Sequence, residues 1–262
     1  HYIFASSTVV YARSNLLPIT EDYPVDNGPN QSDYGRNKLI CEDFLKKLYM
    51  KNHFPMTIAR FSMVFGPDNN LINREQRMFV RLLNNRKILI PGRGTTLSQI
   101  GHVDDEARVL RLMLRKQRTF GEIYNVTGKD YFSDEGYVDI SANVVDVSPD
   151  KLFIPADVMD NMPMEIRQTL IQRLAPYIHR WDQSTVFGIN KLREHLQYEP
   201  EYNLESAMAQ TYEWFLRENI KEQRDYDFSD EDAIINKLQR EELNEEFSKW
   251  LKGENSSKLS QG

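Results

Sequence analysis

The apolar positions of this chain follow two spacings. Short runs rich in apolar residues, at 2–5, 56–61, 88–90, 122–126 and 151–155, read as buried strands. Between them, apolar residues recur every three or four positions. Leu39, Ile40, Phe44, Leu45 and Leu48 predict a helix that Ser32 or Asp33 can cap and that runs to about His53. Met78, Phe79, Leu82 and Leu83 give the inner face of a helix over 73–85. Val109, Leu110, Leu112 and Met113 do the same for a helix capped by residues 102–105. Further helices are expected over 134–145, 164–174, 190–196 and 204–217. Strands that alternate with helices predict an α/β fold.

Two stretches break the pattern. Residues 12–33 are polar and turn-rich, with Pro18, Pro24 and Asn27-Gly28-Pro29, and form a loop that would lie over any site at the end of the first strand. After residue 217 the chain reads as an acidic linker, Asp225 to Asp232, and then an amphipathic helix carrying Ile235, Leu238, Leu243, Phe247 and Trp250. That helix would cover its own domain, a dimer mate or another partner. Residues 253–262 read as a polar, disordered tail.

The candidate chemistry sits early. The first strand ends in Ser6-Ser7-Thr8, followed by Val9-Val10-Tyr11. Hydroxyls at the carboxyl end of a buried parallel strand fall where open α/β sheets place their ligands. Tyr34 and Lys38 are four apart on the next helix, within reach of one another. An ammonium beside a phenol favours the phenolate, the form that acts as a base. In a chain with 13 tyrosines one such pair is near chance, so its weight comes from the strand end upstream.

Strand-Ser-Ser-x-x-Val-Tyr, then Tyr-x-x-x-Lys, then the run Ala59 to Pro67, together resemble the extended short-chain dehydrogenase/reductases. These are the NAD(P)-dependent epimerases and dehydratases that act mostly on nucleotide sugars. The likeness runs from residue 1 to about 217. Ile90 to Gly94, Gly101 to Asp105 and Ile123 to Gly128 resemble the chloroplast stem-loop-binding-like branch.

The resemblance implies a doubly wound parallel sheet of Rossmann type with a smaller interleaved α/β lobe. Residues 1–66 would be the C-terminal part of the dinucleotide-binding domain. Residues 67–217 would be the substrate lobe, returning to the sheet at about 101–127, and 218–262 a linker, helix and tail. It implies hydride transfer with NAD or NADP on a sugar or nucleotide-sugar-like substrate. Tyr34 would be the base, Lys38 would tune it and hold the nicotinamide ribose, and Ser7 would donate to the substrate oxygen. Ser6, Phe61, Ser62, Met63 and Val64 would join Tyr34 and Lys38 around the cofactor. Thr8, Ser98 and Arg180 are the substrate candidates.

The chain departs from the family pattern in three places. None of its 12 glycines forms G-x-x-G-x-x-G or G-x-G-x-x-G. The resemblance therefore implies that about a hundred residues carrying that turn precede residue 1; the alternative is a divergent protein that never had the turn. Met63 stands where many sugar-nucleotide enzymes carry Asn, and Ser98 where they carry Arg, which weakens the case for a UDP- or dTDP-sugar.

Composition narrows the alternatives. The 262 residues allow one large or two small domains. A net charge of -6 with a pI near 5.5 gives no general support for nucleic-acid binding. An RNA-binding or RNA-processing protein on the same fold is nonetheless the second hypothesis, with Arg74, Arg77, Arg81 and Arg86 as its one local basic stretch, otherwise a solvated face. A non-catalytic cofactor-sensing module is the third. The single cysteine excludes an intrachain disulfide, and Cys41 is expected to be buried. The five histidines lack metal-ligand spacing, and no run reaches the roughly 20 apolar residues of a membrane span. A homodimer and a cytoplasmic location complete the expectations.

Overall fold

The computed structural model describes residues 1–29, 31–162 and 182–251, with side chains to residue 240. β1 (Tyr2–Ser7) leads through one 3-10 turn (Thr8–Val10) and a loop into α1 (Asp33–Asn52). Next come β2 (Met56–Phe61), β3 (Met63–Phe65), α2 (Glu75–Leu83) and β4 (Lys87–Pro91). They are followed by β5 (Leu97–Ser98), β6 (Ile100–His102), α3 (Val103–Met113) and β7 (Ile123–Val126). The chain continues with β8 (Phe132–Ser133), α4 (Asp134–Val145), β9 (Asp150–Ile154) and α5 (Ala156–Asn161). α6 (Asn190–Leu196), α7 (Leu204–Arg217), α8 (Ile220–Gln223) and α9 (Ser229–Leu251) close it.

β1, β2 and β7 form a parallel sheet in that order. Ser7 lies opposite Phe61, and Phe61 opposite Val126, so three carboxyl ends finish at one edge. β3 pairs in parallel with β6, β4 pairs in parallel with β9, and β5 runs antiparallel to β8. Ala59, Val109, Tyr124 and Leu192 pack α3 and α6 against β2 and β7. A larger core gathers Phe65, Phe79, Ile88, Tyr137, Met208 and Phe215 from α2, β3, β4, α4 and α7. Between β3 and α2 the chain turns at Gly66, whose φ of 142° suits glycine, and a Cβ there would crowd Val103 and His102.

α1 shows which part of its apolar pattern meets the sheet. Gly35, Glu42 and Leu45 are its buried residues, and Leu45 packs on Met56 and Ile58 of β2. Ile40 and Phe44, two of the apolar residues that predicted this helix, are each 61% exposed. Cys41, expected to be buried, is exposed as well, because it lies beside Ile40 and Phe44 on the side turned away from the sheet.

The stretch expected to be an acidic linker is docked. Phe228 and Glu231 are buried against α2. Glu231 accepts from Arg77 Nε at 2.9 Å and from Arg81 Nε and Nη2 at 2.9 and 2.7 Å. The Arg77 and Arg86 guanidiniums each lie 4.3 Å from the centre of the Phe228 ring. Arg77 and Arg81 are therefore buried rather than a solvated basic face: the carboxylate that neutralises them comes from the far end of the chain. The helix expected over 164–174, the tail at 253–262 and the apolar side chains Leu243, Phe247 and Trp250 fall outside the description. Among the described residues no helix is long and apolar enough to cross a membrane.

Candidate active site

The candidate site forms where β1 ends and α1 begins. Ser7 caps the 3-10 turn, its Oγ accepting from Val9 N–H at 3.3 Å, and its side chain is half-buried. Ser32 caps α1 by accepting from Gly35 N–H at 3.1 Å, which starts the helix one residue before Tyr34. Tyr34 is 57% exposed. Lys38 lies one turn on, its Nζ 5.4 Å from the centre of the Tyr34 ring and 5.1 Å from that of Phe4. The same ammonium donates to the Ala5 carbonyl at 2.7 Å. Tyr34 and Lys38 are thus brought together as the spacing predicted, and Lys38 is tied to β1 at Ala5.

The other expected residues divide. Phe61 is half-buried at the end of β2, beside Ser7 in the sheet. Ser62 is buried and its hydroxyl donates to Thr127 Oγ1 at 2.6 Å. Met63 and Val64 are half-buried on β3, opposite Ile100 and Gly101. Ser6, Thr8 and Ser98 are buried. The Ser6 hydroxyl is spent inside the protein, donating to Glu42 Oε1 at 2.6 Å. Arg180 lies outside the described residues.

Beneath the site runs a buried polar network absent from the sequence-based site list. Glu42, on α1, is fully buried and accepts from Arg60 Nε and Nη2 at 2.9 and 2.6 Å as well as from Ser6. Lys46 Nζ adds a contact at 3.2 Å. Burial works against the charge of Glu42, but Arg60, Ser6 and Lys46 outweigh it and hold its carboxyl below the usual range. The Arg60 guanidinium lies 4.7 Å from the centre of the Tyr11 ring, and the Tyr11 hydroxyl donates to Asn125 Oδ1 at 2.6 Å. Burial, partly offset by Arg60, pushes the Tyr11 hydroxyl up to about 12.

Two further groups stand at the start of α2. Glu75 is fully buried, accepts from Asn69 Nδ2 at 2.8 Å and is pushed up to about 7 by burial. Arg74 is half-buried and donates to the Val64 carbonyl at 2.7 Å. Among the described residues no carboxylate pairs with it. Burial draws its guanidinium below the usual range; Glu75, Tyr137 and Tyr34 are near enough to oppose that shift. A half-buried arginine that pairs with no carboxylate among the described residues, tied to Val64 and within electrostatic reach of Tyr34, is suited to an anionic ligand. Its signal in the sequence was only a charge on a helical stretch. Among the described residues no cluster of three or more His, Cys, Asp or Glu could hold a metal.

Known proteins share this fold. Solved structures with the same fold include UDP-glucuronic acid 4-epimerase from Bacillus cereus, in complex with UDP-glucuronic acid and NAD. It matches at a TM-score of 0.62 and 23% identity over 82% of this chain and 61% of that one. The dTDP-glucose 4,6-dehydratase from Bacillus anthracis, in complex with NAD, gives a TM-score of 0.64 at 19% identity with the same coverage, 82% and 61%. In sequence, the chain is 28% identical to the chloroplast stem-loop binding protein of 41 kDa b of Arabidopsis thaliana over 238 residues, 90% of this chain and 57% of that protein. The chain thus spans about three fifths of the length of these relatives. Residues 1–127, which carry Ser7, Tyr34, Lys38 and the β1–β2–β7 sheet, match the model of the NAD dependent epimerase/dehydratase family.

Proposed function

We propose that this chain supplies the catalytic residues of an NAD-dependent epimerase or dehydratase that works by hydride transfer on a sugar-like secondary alcohol. The observation that carries this reading is the tie from Lys38 to Ala5, which holds the ammonium beside the Tyr34 ring against the strand that ends in Ser7. Tyr34, exposed at the mouth of the site, takes the proton of the substrate hydroxyl. Ser7 donates a hydrogen bond to the same oxygen and fixes its place. Arg74 binds an anionic group on the substrate away from the reacting carbon, which suits a sugar carrying a phosphate or a carboxylate.

The residues present fit the reactive end of the cofactor. An ammonium has three donors, and Lys38 gives one to Ala5, leaving the others for ribose hydroxyls. Half-buried Phe61, Met63 and Val64 offer an apolar wall for a nicotinamide ring. NAD, when bound, takes up and returns the hydride, chemistry that no side chain supplies. The NAD in the neighbouring structures supports this assignment.

The test is to incubate the full-length protein with NAD and, in turn, UDP-glucose, UDP-glucuronic acid and dTDP-glucose, following products by NMR. The expected result is an epimer or a keto sugar from at least one, lost in Tyr34→Phe. No turnover of any of them, together with no NAD binding by calorimetry, would sink the reading.

A further inference from the structure

Glu42 stands two turns beyond Tyr34 and one beyond Lys38, so the three share a face of α1. It is the fully buried member of the three, and its carboxylate reaches two strands at once. Ser6 on β1 donates to one oxygen, and Arg60 on β2 clamps both. Ser6 and Arg60 face each other in the sheet register, so the contacts converge at a single rung, one residue before Ser7. A bidentate Arg–carboxylate pair fixes orientation as well as distance. A helix held by the apolar contacts of Leu45 and Tyr49 alone could still roll about its axis; held also at Glu42, it cannot roll without pulling a carboxylate off a buried guanidinium.

We infer that Glu42, through Arg60 and Ser6, is a positioning residue that sets the rotation of α1 and thereby the placement of Tyr34 and Lys38 against Ser7. Arg60 is itself braced on the far side by the Tyr11 ring and by the Glu21 carbonyl, which accepts from its Nη1 at 3.4 Å. Tyr11 passes that brace to Asn125 on β7, and the Asn125 amide donates to the carbonyls of Ile19 and Gly188 at 3.0 and 3.1 Å. The network thus spans all three strands and the loop over the site, while Glu42 is its one link to the helix that carries the base. Lys38 repeats the device one turn earlier, on the Ala5 carbonyl. Two successive turns of α1 are therefore pinned to consecutive residues of β1.

This inference rests on the proposed catalytic reading, and its test separates the two. In the full-length protein the double variant Glu42→Leu/Arg60→Met replaces a buried pair with apolar side chains of similar size, an exchange that tends to spare stability. A purely structural pair would then leave turnover near wild type. A positioning pair predicts an unchanged melting temperature, kcat lower by about 10–100-fold with KM little changed, and faster amide exchange over 33–41. Tyr34→Phe is measured beside it. If Tyr34→Phe is inactive while the double variant keeps wild-type kcat, the positioning role is overturned and the catalytic reading stands. If the wild type turns nothing over, or Tyr34→Phe stays active, the catalytic reading fails; amide exchange over 33–41 then decides, and an unchanged pattern overturns the inference. Should the double variant not fold, Ser6→Ala removes one bond of the same set. A smaller loss of kcat and protection in Ser6→Ala supports the role, and wild-type values in both overturn it.

Discussion

Lys38 reaches from α1 to the carbonyl oxygen of Ala5, at 2.7 Å, so the ammonium beside the Tyr34 ring is tied to the strand that ends in Ser7. One cation serves strand, tyrosine and, in the proposed reaction, ribose. Lys38→Met should therefore lower both kcat and NAD affinity, whereas Tyr34→Phe should leave NAD affinity intact and cost turnover alone, about 10²–10⁴-fold. Steady-state kinetics with calorimetry for NAD separates the two patterns.

Ser7→Ala should cost less than Tyr34→Phe. It removes one hydrogen bond to the reacting oxygen, worth on the order of 10²–10³ in kcat at most. The half-buried hydroxyl also caps a 3-10 turn, so a fall in melting temperature should accompany the loss. Parallel kinetics and thermal melts of the variant check both effects.

Arg74→Met should raise KM for an anionic substrate by roughly 10–100-fold, the scale of one charge-assisted hydrogen bond, and change kcat less. Arg74→Lys should recover part of the loss. Equal KM values in wild type and Arg74→Met would remove Arg74 from the substrate site.

Stability should fall as pH rises from about 4.5 to 7. Burial raises Glu75 from 4.5, and Asp134 from 3.8, to about 7 each, so the folded state holds protons that the unfolded state releases. Their contribution is fully present below the ordinary carboxylate values and is lost as pH climbs through the raised ones. For Glu75 alone the loss is on the order of 3 kcal/mol. Glu75→Gln, neutral at every pH, should flatten that slope in denaturant titrations at pH 5 and pH 8. Glu42 and Glu231 act in the opposite sense. Both are held below the usual range, Glu231 by Arg81 and Arg77 against the pull of burial. Their stabilisation is present above the ordinary carboxylate value and disappears on acidification through the lowered ones.

The docking of α9 is testable in the same way. Glu231→Gln withdraws a buried charge shared by Arg77 and Arg81 and should cost on the order of 3–5 kcal/mol. Asp232→Asn, on the more exposed pair with Arg86, should cost less than about 1 kcal/mol. Urea unfolding of the two variants gives the comparison, and equal midpoints would mean that the buried bridge contributes nothing to the docked state.

Much of this arrangement was legible in the residues. The run Tyr2 to Ala5 and the spacing of Leu39, Leu45 and Leu48 place β1 and α1 correctly, and with them Ser7, Tyr34 and Lys38. Periodicity shows which residues share a helix face but not whether that face has a partner, which is why Cys41 was expected inside and lies outside with Ile40 and Phe44. The ties of Arg77 and Arg81 to Glu231 join positions 154 and 150 residues apart, beyond the reach of any local pattern. β5 and β8 have two residues each, too few to show alternation. Arg74 and Glu42 read as ordinary helix charges until the strands beneath them are in place.

The chain has one thiol, and it sits beside the side chain that locks α1. Cys41 is exposed, while its neighbour Glu42 is sealed against the sheet. A maleimide dye or nitroxide placed there attaches at a single address within these 262 residues. It rides on the same helical turn that separates Lys38 from the buried lock. Its anisotropy or line width would therefore read the tilt and looseness of that helix directly, in real time, as cofactor and substrate arrive.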